Sequence, residues 1–190
     1  MKSQITIKKI QDLLIKGLQN IYVDDDSSRR MWWASLEVIQ KEFLAQNYQQ
    51  GGIWVASPLP ALNDKRFFNQ LHGWLWAPEG FPYFQKDNIG FLPVNNSAKV
   101  KKDFDFVSNY KVLNLSQKDG YEPFLMIITP NFQCILSIAG EKDKKILLMK
   151  CDEESLKISI ELMHAKLNQE NYEEGVKFRS AINNLGNLNV

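Results

Sequence analysis

The sequence predicts an α+β domain in which an antiparallel sheet meander is flanked by helices. Near both ends of the chain, apolar residues recur every three or four positions, which is typical of amphipathic helices. Between Phe124 and Cys151, three short apolar runs alternate with turn-forming residues, which predicts three consecutive strands. The 190 residues are 44% hydrophobic and 24% charged, so we expect a folded domain with a sizeable core.

Three helices and one strand are predicted in the first part of the chain. The first helix spans residues 4–22, and the second begins among the acidic and serine residues at 24–28, which can cap it. The second helix ends near residue 48, and its apolar face is formed by Trp32, Trp33, Leu36, Ile39, Phe43 and Leu44. A short strand follows at 53–56, and helical spacing of the apolar residues predicts a third helix at 64–76.

The segment 77–120 shows no sustained helical or strand period. It contains three prolines and many aromatic residues, and short strands are expected only at 90–94 and 110–115. Long structureless segments in compact domains are commonly lids or binding loops, and the aromatic side chains favour an ordered one. We therefore expect this segment to cover one face of the sheet.

Symmetric hairpins fix the register of the predicted meander and show that both of its faces are apolar. Helices can cover one face, and the aromatic segment can cover the other, where a small-molecule pocket can form. The candidate pocket residues are Phe84, Phe91, Leu125, Ile127, Cys134, Leu136 and Met149. The alternative is that the aromatic segment packs solidly on the sheet and leaves no cavity.

The same register places the two cysteines, Cys134 and Cys151, opposite each other on neighbouring strands. Opposed residues of antiparallel strands are within reach of a disulfide, so the pair is a candidate for a reversible redox switch. The alternative is that both act as small buried hydrophobic residues.

Two helices are predicted after the meander. Asp152 caps the first of them, and Asn171 to Asn184 form the second. The near-heptad apolar positions of the first helix, which are either packed inside the domain or candidates for a dimer seam, are Leu156, Ile160, Met163 and Leu167. We expect residues 1–168 to form one domain and residues 169–190 to form a linker or signalling helix after it.

The sequence carries no motif of a known catalytic or metal site. It lacks a phosphate-binding glycine loop, a nucleophile elbow and a zinc-protease motif, so we expect no enzyme activity and cannot name a cofactor. The net charge of +1 argues against a nucleic-acid partner, and no apolar run is long enough to span a bilayer. We expect the protein in the cytoplasm, a reducing compartment.

Three strings of the sequence carry a family resemblance. They are Arg29-Arg30-Met31-Trp32-Trp33-Ala34-Ser35-Leu36-Glu37-Val38-Ile39-Gln40, Gly52-Ile53-Trp54-Val55-Ala56-Ser57-Pro58-Leu59-Pro60 and Glu122-Pro123-Phe124-Leu125-Met126-Ile127-Ile128-Thr129-Pro130-Asn131-Phe132. Together they resemble the N-terminal input domain of cyanobacterial two-component sensor histidine kinases. The meander is similar to that of DICT domains, which resemble GAF domains in outline.

The resemblance implies a GAF- or PAS-like sensory domain that binds a small molecule or a partner and relays the signal through its C-terminal helix to a kinase core. The chain itself contains no phospho-acceptor histidine motif and no ATP-binding boxes, so any kinase core would lie beyond it. A homodimer is possible through the seam helix. A free-standing interaction or scaffold domain is the main alternative, and an enzyme using His72 with Asp64 or Lys65 is the third.

Overall fold

The computed structural model describes residues 5–16, 18, 22–47, 50–58, 61–62, 64–79, 109–141 and 143–186. The helices are α1 (Ile7–Ile15), α2 (Asp25–Val38), a π-helix (Ile39–Leu44), α3 (Ala45–Asn47), α4 (Lys65–Gln70), a 3₁₀ turn (Gln117–Asp119), α5 (Glu153–Glu170) and α6 (Tyr172–Asn184). The strands are β1 (Ile53–Ser57), β2 (His72–Ala77), β3 (Tyr110–Asn114), β4 (Phe124–Ile128), β5 (Gln133–Glu141) and β6 (Lys144–Lys150).

The described strands form one sheet of six, in the order β3-β2-β1-β4-β5-β6. The strands β1, β2 and β3 run parallel to one another, whereas β1-β4, β4-β5 and β5-β6 are antiparallel pairs. The predicted α+β class is confirmed, but the sheet is mixed and not only an antiparallel meander. The difference comes from β2 and β3, which lie beside β1 and run parallel to it.

The predicted third helix is wrong in its second half, because residues 72–77 form the strand β2. Their side chains alternate between the two faces, with Trp74 and Trp76 in one core and Leu75 and Ala77 in the other. Since both faces are buried, the strand shows no polar alternation, and its apolar residues imitate helical spacing. The sequence offers Asn63 or Asp64 as the cap of this helix, and Asp64 caps the shortened α4.

The register of the meander is confirmed. Leu125 pairs with Leu136, Ile127 pairs with Cys134, and Leu136 pairs in turn with Met149. The predicted strand at 110–115 is β3, while the one expected at 90–94 lies outside the described residues. Two-residue periodicity and hairpin turns were enough to fix this half of the sheet.

Helices cover both faces of the sheet. One face packs against α1, α5 and α6, and the other packs against α2, the π-helix and α4. Trp32, Leu36, Leu44 and Phe67 cover this second face in the described part of the chain, while residues 80–108 of the segment expected to cover it lie outside the described residues. The N-terminal helices take this position because they carry the apolar area needed to shield the meander.

The predicted apolar face of α2 is partly exposed. Trp32 is 6% exposed and belongs to the core, whereas Trp33 is 56% exposed. Adjacent residues of a helix point about 100° apart, so both indoles cannot face one sheet. Phe43 is 38% exposed and stacks on Phe132 with 4.5 Å between the ring centroids.

The dimer-seam candidates are core residues of this chain. Leu156 is 2% exposed, and Ile160, Met163 and Leu167 are fully buried against the sheet. They therefore leave no surface for a second copy, and the packing alternative explains their spacing. The helix α6 belongs to the same domain, because Phe178 and Ile182 lie in the same core as the α5 residues. The predicted boundary at 168 therefore does not separate two structural units.

A buried lysine joins four parts of the fold. The Lys166 ammonium on α5 is fully buried and donates to Asp119 Oδ1 at 2.7 Å and to Glu170 Oε1 at 2.6 Å. It also lies 5.3 Å from the centroid of the Trp76 ring on β2. The backbone amide of Ile7, at the start of α1, donates to the same Asp119 Oδ1 at 2.9 Å. Because each partner is satisfied, the charge is tolerated in the interior.

We expect Lys166→Ala to lower the free energy of unfolding by about 3–5 kcal/mol, because it leaves the Asp119 carboxylate buried without its cation. The matched control is Lys157→Ala on the exposed face of the same helix, which should change stability by less than about 0.5 kcal/mol. Urea denaturation followed by circular dichroism measures both values. Equal, small losses in the two variants would contradict a structural role for the buried ammonium.

Candidate functional site

A cavity of about 760 Å³ lies beside the sheet where β1, β2 and β3 begin, and α6 forms its opposite wall. Because the three strands are parallel neighbours, their amino ends meet at one end of the sheet. The chain before β1, the first residues of β2 and β3, and α6 supply the lining. It consists of Gln50, Gly51, Gly52, His72, Gly73, Trp74, Asn109, Tyr110, Lys111, Glu174, Val176, Lys177, Ser180, Ala181, Asn184 and Leu185.

One residue of the lining is a glycine that lies between two aromatic residues. Gly73 of β2 lies between Trp54 of β1 and Tyr110 of β3 in the strand register. The Trp54 indole lies over Gly73, where any side chain would overlap it, and its ring centroid is 5.6 Å from that of Tyr110. A glycine at this position therefore allows two aromatic rings to meet across the middle strand.

The most deeply buried charge in the lining is the carboxylate of Glu174. The residue is 6% exposed, its Oε2 accepts a hydrogen bond from Trp74 Nε1 at 3.0 Å, and its Oε1 accepts one from Lys177 Nζ at 2.8 Å. Burial raises the pKa of Glu174, but the hydrogen bonds from Lys177 and Trp74 and the charge of Lys111 outweigh it, so the pKa lies below its usual value. The carboxylate is therefore charged at neutral pH.

Two cations lie near this carboxylate in the lining of the partly open cavity. The Lys177 side chain is 64% exposed, so one partner of Glu174 is a flexible surface group, whereas Trp74 is 3% exposed and fixed in the core. Lys111 stands exposed at the start of β3 and contributes positive potential to the same site. The cavity thus offers the fixed carboxylate of Glu174 as an acceptor beside the lysine donors Lys177 and Lys111. This arrangement suits a ligand that carries one positive and one negative group.

The pocket candidates from the sequence lie elsewhere. Leu125, Ile127, Cys134 and Leu136 are at most 1% exposed in the core beneath α2 and α4, and they line neither this cavity nor the second one described below. Met149 is 48% exposed near the end of β6, the last strand of the sheet. Phe84 and Phe91 lie outside the described residues, so a pocket formed by them stays a prediction.

A second cavity, of about 530 Å³, lies on the other side of the sheet between α2, the π-helix and α4. Trp33, Glu37, Lys41, Asp64 and Arg66 are among its lining residues. Asp64 is paired with Arg66 there, whereas His72 lines the first cavity, so the two groups of the suggested enzyme arrangement do not share a cavity. The side chain of Lys65 lies outside the described residues.

Sequence reasoning did not identify Glu174, Lys111 or Lys177 as site residues. Glu174 occupies the first turn of α6, capped by the Asn171 side chain, where an acidic residue is commonplace. Lys111 precedes no recognisable motif. The only available signal was the Trp74 and Trp76 pair, whose two indole N–H groups need acceptors when buried.

A family model described as a domain of unknown function (DUF8628) matches residues 8–190. The chain belongs to this family. Comparison with curated proteins and with solved structures found no significant match. Among the residues that the structure describes, no helix of the DUF8628 domain is long and apolar enough to cross a membrane.

We expect Glu174→Gln to lower the free energy of unfolding by about 1 kcal/mol at pH 7, because the variant loses the charge-assisted bond to Lys177. The pKa of Glu174 is lowered in the folded state, so its charge stabilises the fold above the unfolded value of about 4.3, and this contribution disappears as the pH falls through the folded pKa. Glutamine resembles the protonated carboxyl group, so the stabilities of the two proteins should converge once the pH falls below the folded pKa of Glu174.

Urea denaturation at a series of pH values measures this difference. The matched control is Glu173→Gln, an exposed neighbour in the same helical turn, which should follow the original protein at every pH. A Glu174→Gln difference that is independent of pH would show that the charge of the carboxylate does not matter.

Proposed function

We propose that the DUF8628 domain is a cytoplasmic sensory input module of a two-component histidine kinase and that it binds a small zwitterionic molecule in the cavity beside α6. The observation that carries this proposal is the buried Glu174 carboxylate, which lines a cavity of about 760 Å³ together with Lys177 and Lys111. The volume is in the range of metabolite sites. The resemblance to kinase input domains supports the sensory role.

The charges of the lining favour a ligand with an ammonium group and an anionic group. An ammonium group can take the place of the Lys177 amine on Glu174, since Trp74 keeps the carboxylate in position. The released Lys177, together with Lys111, can then bind the carboxylate or phosphate of the same ligand. The exchange keeps each charge paired, so binding does not leave a buried ion uncompensated.

Ligand binding at this position would act on α6. Glu174 and Lys177 lie on this helix, while Trp74 and Lys111 lie on strands of the sheet. A ligand that bridges the strands and the helix stabilises one position of α6 relative to the sheet. It can shift the population of the helix position by no more than the difference in its affinity for the two positions.

An interaction domain is the second candidate function. Tyr172 and Val176 are 72% and 48% exposed and lie one turn apart on α6, next to the cavity. Aromatic and aliphatic residues exposed together on one helix can contact a partner protein. Such a domain would bind its partner through α6 without needing a ligand in the cavity.

We expect at least one free L-amino acid from a panel of the twenty common ones to raise the unfolding temperature of the domain. A ligand at about one hundred times its dissociation constant adds about 2.7 kcal/mol of stability, which a thermal melt detects. Lys111→Glu should abolish the shift, because it reverses the charge that receives the anionic group. The matched control is Lys157→Glu, an exposed lysine on α5 away from the cavity lining, which should bind normally.

Isothermal titration calorimetry with the amino acid that raises the unfolding temperature then tests the carboxylate of the site separately from its lysines. Glu174→Gln should weaken binding at pH 7 without preventing folding. A panel without any shift, or a shift that Lys111→Glu retains, would contradict the zwitterion site and favour the interaction role of α6.

The kinase part of the proposal predicts that the reading frame continues after Val190 into a helix pair with a phospho-accepting histidine and an ATP-binding domain. Sequencing the gene downstream of this codon checks it. A stop codon directly after Val190 would contradict an input module in the same chain, while leaving the ligand site to be tested by the amino-acid panel.

A further inference from the structure

The two cysteines occupy facing positions at one end of the β5-β6 hairpin. Ile135 pairs with Lys150, so the next residues along the two strands, Cys134 and Cys151, are opposite each other. Both backbone groups of Lys145 bond outward to Val23, so Lys145 and Gly140 form a non-hydrogen-bonded pair within the hairpin. Hydrogen-bonded and non-hydrogen-bonded pairs alternate along antiparallel strands. Cys151 lies an even number of residues after Lys145, so the cysteine pair is non-hydrogen-bonded as well.

The spacing of such a pair suits a disulfide. Opposed residues of a non-hydrogen-bonded pair have Cα atoms about 4.5 Å apart, within the range that disulfides span. Both cysteines are free thiols on facing positions of the hairpin. No rearrangement of the strands is therefore needed to bring the sulfur atoms together.

The two thiols differ in their access to solvent. Cys134 is 1% exposed, whereas Cys151 is exposed. Burial and the neighbouring Cys151 raise the pKa of Cys134, so this thiol is a poor first nucleophile. Cys151 is the group that a disulfide in solution can reach, and Cys134 is placed to resolve the adduct.

We propose that Cys134 and Cys151 form a reversible cross-strand disulfide by exchange with a small disulfide such as oxidised glutathione. The Cys151 thiolate attacks one sulfur of glutathione disulfide, which forms a mixed disulfide and releases one glutathione thiolate. Cys134 then loses its proton to solvent and attacks Cys151 Sγ, which forms the intramolecular bond and releases the second glutathione. The protein loses two electrons and two protons, and glutathione disulfide is reduced to two thiols.

The bond would connect the sheet to the start of α5. Cys151 directly precedes Asp152, whose carboxylate caps this helix by accepting from Ser155 N at 2.9 Å. Oxidation would fix the first turn of α5 to β5, at the end of the sheet where β6 leads into the helix. The switch does not depend on a ligand in the cavity, so it can operate whether or not the amino-acid proposal is correct.

The experiment equilibrates the folded protein with mixtures of reduced and oxidised glutathione, quenches with acid, and separates the species by mass spectrometry. We expect a species lacking both free thiols and carrying no glutathione, formed under folded conditions with an unchanged circular dichroism spectrum. Dithiothreitol should return it to the dithiol form. An end product that carries glutathione, a protein that keeps both thiols, or an oxidised form that has lost its folded spectrum would overturn the proposal.

Two variants separate the roles of the thiols. Cys134→Ala should stop at the mixed disulfide on Cys151, because no resolving thiol remains. Cys151→Ser should react slowly, at least about tenfold slower than the original protein, since only the buried thiol is left. Equal reaction rates for Cys151→Ser and the original protein would show that Cys134 is the entry point and overturn the assigned order. The glutathione equilibrium of the unsubstituted protein remains decisive if a variant does not fold.

Discussion

The fold depends on the accommodation of one buried ammonium group. Lys166 is enclosed by Asp119, Glu170 and the face of Trp76, and Asp119 in turn accepts from the amide of Ile7. Burial raises the pKa of Asp119, but hydrogen bonds from Lys166, Ile7 and the Ser116 hydroxyl outweigh it and keep the carboxylate charged. An ion pair without access to water is stable only when all its bonds are made. This requirement fixes α1, α5, β2 and the turn before β4 in one arrangement.

The same network places the wall of the cavity. Trp76 donates to Glu170 at the end of α5, and Trp74, two residues earlier on the same face of β2, donates to Glu174 at the start of α6. The two carboxylates are four residues apart across the break between the helices, so the indoles hold both helices against one strand. Strand β1 begins at the end of the sheet where β5 also begins and where β6 ends. The α5-α6 hairpin therefore connects the cysteine pair with the proposed ligand site.

Much of the meander could be predicted from the sequence, because hairpin pairing and two-residue alternation are local properties. The register of Leu136 with Leu125 and Met149 follows from turn position alone. The cap positions at Asn63 or Asp64 and at Asp152 were recognisable for the same reason, since a side chain caps the helix that follows it directly. The opposed cysteines follow from the register as well.

The sequence by itself thus determined the α+β class, the antiparallel strands with their register, and the caps of two helices, all of which depend on neighbours in the chain. Only the tertiary structure decided that residues 72–77 are a strand, that Leu156 and Ile160 pack inside the domain, and that Glu174 bonds Trp74 within the field of Lys111. Burial on both sides removes the polar alternation that marks a strand, and apolar spacing is the same whether a helix packs on its own sheet or on a second copy. Charges distant in sequence become partners only when the sheet and the helices assemble.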